Sequence, residues 1–158
     1  MKRHAALAAF AIALLAGCAP SAPPPAPPAD VKLAAATPAE QVAILAALMP
    51  SIQRELDQSV GFKDVDVKTE GDWAWVKALP TSPVGDPIDF SHTAYAERAE
   101  SHDLDGGGAL VALLQREAGA WVVRDFDIGS TDVAYTDWPR KYGAPAELMG
   151  LQGAPPAP

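Results

Sequence analysis

Val65-Asp66-Val67-Lys68-Thr69-Glu70-Gly71-Asp72-Trp73-Ala74-Trp75-Val76-Lys77-Ala78-Leu79 holds two runs of β-forming residues around one turn. Val65 and Val67 alternate with Asp64, Asp66 and Lys68, the period of a half-buried strand. Glu70-Gly71-Asp72 supplies the turn, and the return strand carries Trp73 and Trp75 on one side. The stretch therefore predicts an antiparallel hairpin. A second hairpin follows from Ala109-Leu110-Val111-Ala112-Leu113-Leu114-Gln115-Arg116, a turn at Glu117-Ala118-Gly119-Ala120, and Trp121-Val122-Val123-Arg124-Asp125-Phe126-Asp127-Ile128.

Upstream of the hairpins the period changes to that of a helix. Thr37 is placed as N-cap, Pro38 at the first helical position, and Glu40 to close a capping box. Val42, Leu45, Met49, Ile52 and Leu56 then recur at spacings of three and four, which predicts one apolar face on a helix reaching about Ser59. Pro50 lacks the N–H that would bond to Ala46, so a kink or break is expected at Met49. Between the hairpins, Pro80 to Pro87 reads as loop, and Ile88 to Glu100 as a short strand or a helical turn around Tyr95. Near the end, Asp137 is placed to cap a helical turn through Trp138-Pro139-Arg140-Lys141-Tyr142, stopped by Gly143. The order predicts an α+β domain over residues 37–149: one long N-terminal helix packed on a four-stranded antiparallel sheet, cystatin-like or NTF2-like, with short C-terminal helical turns.

The chain has 158 residues and a single cysteine, Cys18, which precedes this domain. An internal disulfide and a cysteine-based zinc site are therefore excluded, and the apolar core alone must hold the fold. The formal net charge is −8, and without Lys2 and Arg3 it becomes −10. Such a surface disfavours nucleic acid and anionic lipid headgroups as partners. The acidic residues are spread along the chain, the pattern of a self-repelling surface.

Met1-Lys2-Arg3-His4 is a basic start, followed by an apolar run from Ala5 to Ala16 that is shorter than the roughly 20 residues a bilayer-spanning helix needs. The run ends in Leu15-Ala16-Gly17-Cys18, which resembles the lipobox of bacterial lipoproteins. The resemblance implies a signal peptide over residues 1–17, removed by cleavage before Cys18, and a diacylglyceryl group with palmitate-like chains on its sulfur. Two or three such chains hold a protein firmly to a membrane. Ala19 follows, where an aspartate would favour inner-membrane retention, so the resemblance implies a lipid anchor in the outer membrane with the domain facing the periplasm. Residues 19–30 contain six prolines and favour an extended spacer. Residues 18–36 are expected to be the lipidated cysteine and its tether, and residues 150–158 a disordered tail.

Gly71-Asp72-Trp73-Ala74-Trp75-Val76, Gly119-Ala120-Trp121-Val122-Val123, and Ile128-Gly129-Ser130-Thr131-Asp132-Val133-Ala134-Tyr135 before Trp138 together resemble a group of uncharacterised bacterial envelope proteins. The resemblance spans about residues 38–149. It implies a helix followed by strands and carries no activity with it.

Three groups of residues are candidates for chemistry. His92, His102, Asp103 and Asp105 lie near Gly106-Gly107-Gly108, but a calcium loop counted from Asp103 would need oxygen ligands where Gly107 and Leu114 stand. A turn feeding the next strand is the simpler reading. Ser130-Thr131-Asp132 offers hydroxyls beside a carboxylate, able to hold a polar ligand or to close local turns. Trp73, Trp75, Trp121, Tyr135, Trp138 and Tyr142 form an aromatic set, read either as packing under the helix or as an open concavity for a glycan, peptide or apolar ligand. The candidate ligand-binding residues are thus Trp73, Trp75, Trp121, Thr131, Asp132, Tyr135 and Trp138, with lipidation at Cys18. No phosphate loop, nucleophile elbow, HExxH helix or dinucleotide fingerprint occurs in the chain. The sequence calls for no cofactor, no metal and no catalytic residue. It predicts an envelope binding module whose partner is the membrane through Cys18 and either an envelope protein or a small ligand held between helix and sheet. The alternative from another class is a small hydrolase or isomerase using His92, His102 or Asp132.

Overall fold

The computed structural model describes residues 33–130 and 132–151. Cys18, the proline-rich tether before residue 33, Thr131 and the tail after residue 151 lie outside the described residues. Thr37 and Glu40 form the expected capping box: the Glu40 N–H donates to Thr37 Oγ1 at 3.3 Å, and the Thr37 N–H donates to Glu40 Oε2 at 3.2 Å. They open helix α1, Pro38–Leu56. Asp57 closes it in the left-handed region at φ 50°, its N–H bonded to the Gln53 carbonyl, so that the last helical residue, Leu56, falls three short of the expected end.

Helix α1 does not break at Met49. Ala46 and Pro50 are both exposed, so the hydrogen bond that the proline removes is lost on the solvent side of the helix. The apolar face also differs from the expected one. Ile44, Leu48, Ile52 and Leu56 are buried, while Val42 is 69% exposed. Two residues along a helix is a turn of about 200°, so a helix burying Ile44 must turn Val42 outward.

The sheet has five strands rather than four, all antiparallel, in the order β1-β2-β3-β4-β5. Strand β1 is Ala34–Ala35, from the segment expected to be tether, and it pairs with Thr69 and Lys68. Its alanines carry no alternation for a sequence reading to detect. The two expected hairpins are β2 (Gly61–Glu70) with β3 (Trp73–Thr81), and β4 (Leu110–Glu117) with β5 (Ala120–Ile128). Gly71 at φ 58° opens the first turn, with glycine where a type II′ turn needs it. Ala118 and Gly119 form the second turn, both at positive φ.

Strand alternation gives the sheet two distinct faces. Ala74, Val76, Ala78, Leu110, Ala112 and Leu114 pack with α1 in the main core. On the opposite face Trp75 and Leu113, cross-strand neighbours, are covered by the C-terminal segment. This segment contains the 3₁₀ turn Ala134–Asp137, helix α3 (Trp138–Tyr142) and the 3₁₀ turn Glu147–Met149. The aromatic residues expected under the helix are therefore mostly on the face away from it. Asp137 precedes α3 as expected, but its side chain makes no capping bond. Asp125 on β5 holds α3 instead, accepting from Lys141 Nζ at 3.0 Å and Tyr142 Oη at 2.7 Å. The neighbouring Tyr142 hydroxyl, and then the Asp125 carboxylate, raise the Lys141 pKa above the usual lysine range.

The loop after β3 carries helix α2, Ala96–Glu100, the helical alternative expected around Tyr95. Tyr95 Oη donates to Glu55 at 3.0 Å, tying this loop to α1. Burial, then that carboxylate, pushes the phenol pKa up. Among the described residues no helix is long and apolar enough to cross a membrane.

Candidate functional site

The outward face of the sheet is not covered along its whole length. At the end away from the two hairpin turns it opens into a cleft of about 450 Å³. Its floor follows from strand register. Lys77 on β3 stands opposite Val111 on β4, and Val111 opposite Asp127 on β5, so all three side chains point to the outer face. Leu79, two residues beyond Lys77, continues the floor. Asp64 reaches the cleft from β2, where pairing is irregular between Lys63 and Asp66 and Asp64 itself takes φ 52°. Such a bulge re-aims a side chain out of the regular pleat.

Two loops form the walls. One is the 3₁₀ turn Asp105–Gly107, the glycine run expected to feed β4. The Asp105 N–H donates to the Gly129 carbonyl at 3.0 Å, and the Gly129 N–H donates to the Ala109 carbonyl at 2.7 Å. Close approach is what the glycines allow here: a Cβ on Gly108 would lie 2.4 Å from the Phe90 ring, and one on Gly129 would lie 2.6 Å from Leu104 Cδ2. The Arg98 guanidinium donates to the carbonyls of Gly129, Ile128 and Asp103, clamping this loop to the end of β5. The other wall is made by Ser130, Asp132, Val133 and Tyr135. Tyr135 packs on Trp75 with ring centroids 4.7 Å apart, and Trp75 in turn meets Trp138 edge-on at 5.8 Å. The tyrosine wall is thus braced by the second core.

The sequence-predicted residues separate into three places. Asp132 and Tyr135 line the cleft. Trp75 and Trp138 are buried, with Trp73 packed against them, beneath the C-terminal segment. Trp121 lies on the helix side, where the Arg116 guanidinium sits 4.4 Å from its ring centroid and also pairs with Glu40 at 3.0 Å. Asp64, Lys77 and Asp127 line the cleft without being singled out by the sequence, where each stands within a predicted strand run. Lys77 had one visible signal: it is the single charged residue in an otherwise apolar strand run.

His92, His102 and Asp132 are all exposed. Among the described residues no three His, Cys, Asp or Glu side chains are grouped to hold a metal ion. The cleft instead offers four carboxylates, from Asp64, Asp105, Asp127 and Asp132, against the one ammonium of Lys77. No protein-family model, curated protein or solved structure matches this chain.

Proposed function

We propose that this protein is a lipid-anchored binding module of the bacterial cell envelope, without catalysis of its own, that takes its ligand or partner at the outer-face cleft. The address rests on Leu15-Ala16-Gly17-Cys18 behind a short apolar run, with acylation of Cys18 and a proline-rich tether placing the domain on the periplasmic side of the outer membrane. The binding role is carried by one observation: a concavity of about 450 Å³, within the range of small-ligand sites, lined by charged side chains together with Leu79, Val111 and Val133. One helix on an antiparallel sheet supports reading the architecture as cystatin-like or NTF2-like, with the site on the face opposite the helix. A base acting on a substrate must come within hydrogen-bond reach of the reacting atom, and of His92, His102 and Asp132 only the exposed Asp132 lines this cleft, with no histidine beside it there.

The test is a pull-down from gently solubilised envelopes, comparing the lipidated protein with Cys18→Ser and with Asp132→Asn/Tyr135→Leu. Capture of a specific component that is reduced by the cleft substitutions supports the reading. Capture unchanged by them, or no specific capture, overturns the assignment to the cleft.

A further inference from the structure

The cleft combines shape, charge and apolar surface in a way that selects among ligands. The ion pairs of the described residues engage Glu40, Glu117 and Asp125, and none involves the four aspartates lining the cleft. These carboxylates come from two strands and two loops on different sides of the concavity. They are not grouped for chelation of a single ion. A compact divalent cation needs several oxygens at one point, whereas this cleft is lined by carboxylates from separate elements together with Leu79, Val111 and Val133. Val133 is 48% exposed, apolar surface left open at the cleft wall. The braced ring of Tyr135 adds a face suited to an alkylammonium group. Lys77, in the same cross-strand row as Asp127, disfavours positive charge beside it and so favours charges placed toward the surrounding aspartates.

We propose that the cleft binds an extended aliphatic amine carrying two or more separated ammonium groups, its methylenes lying along Leu79, Val111 and Val133 and its charges meeting the carboxylates that line the cleft. The inference rests on reading the cleft as the binding site of the module, and it specifies the chemical class of ligand.

The experiment is calorimetric titration of the full-length protein in detergent with spermidine, repeated at constant ionic strength with magnesium and with trilysine. Saturable binding of spermidine at one site is expected, undiminished by an equal concentration of magnesium. Asp127→Asn and Asp132→Asn are each expected to weaken it about tenfold, the worth of one charge-assisted contact, and Tyr135→Leu several-fold. Both aspartates are at least partly exposed, and unchanged melting temperatures check that the variants fold. No saturable binding overturns the proposal, as does displacement by magnesium, equal affinity in all variants, or binding of trilysine in place of spermidine. If spermidine fails while the cleft substitutions still abolish envelope capture, the ligand class falls and the site stands; if both fail, the site falls too.

Discussion

Ala118 occupies a backbone position that costs an L-residue about 1–2 kcal/mol. It sits at φ 47° ahead of Gly119 at φ 85°, the pair of positive angles a two-residue β-hairpin turn requires. Ala118→Gly is expected to stabilise the domain by roughly 0.5–1 kcal/mol after the added chain entropy of glycine is subtracted, read as a higher urea midpoint at unchanged slope. Thr37 works in the opposite sense. Thr37→Ala removes the hydroxyl that caps α1 and is expected to lose about 1 kcal/mol. Hydrogen bonds from the Thr37 side chain and backbone, and then the Arg116 guanidinium, hold the Glu40 carboxyl below its ordinary 4.5. A depressed carboxylate binds fewer protons folded than unfolded, so its contribution is present above 4.5 and lost as pH falls through the folded value. The pH dependence of the urea midpoint in Glu40→Gln should therefore be flatter below pH 5 than in the parent. The capping box was legible because its signature is local in sequence.

Helix α1 and the two hairpins were legible for the same reason, since caps, turns and periods lie within a few residues of one another. The buried side of α1 was not. Val42-Leu45-Met49-Ile52-Leu56 and Ile44-Leu48-Ile52-Leu56 both satisfy helical spacing, and they share their last two members. Only the position of the sheet chooses between them. The choice has a direct test: Leu48→Ala, at a fully buried position, is expected to lose about 2–5 kcal/mol, whereas Val42→Ala, at an exposed one, stays within about 0.5 kcal/mol. A chemical denaturation series on the two variants separates them. Strand β1 escaped the reading because two alanines pair through backbone groups alone, with no side-chain pattern to announce it.

The cleft is a property of the whole molecule, which is why only part of it was legible in the sequence. Its carboxylates lie as far apart as Asp64 and Asp132, joined by a strand bulge, a glycine turn and the exit of β5. The C-terminal segment that braces its tyrosine also brings Glu147 near Glu70, where burial and then the Glu147 charge raise the Glu70 pKa above its ordinary 4.5. A raised carboxyl binds more protons folded than unfolded, so stability falls as pH rises through its folded value. Glu147→Gln is accordingly expected to stabilise the protein above that value, by at most about 0.5 kcal/mol for so exposed a pair, with the gain absent below pH 4. Melting temperatures of both proteins across pH 3–8 measure it.

Strand β1 joins the sheet beside Thr69, next to the Gly71-Asp72 turn, while Asp64 reaches the cleft five residues back along β2, roughly 17 Å away. Were Cys18 anchored and a partner held in the cleft, as proposed, β1 and the cleft would be the two points of attachment, at opposite ends of β2. The first element under load is a two-residue strand that contributes nothing to the cleft lining. On the proposed reading, with Cys18 as anchor and the cleft as grip, release of this strand would lengthen the leash without removing a residue that lines the cleft.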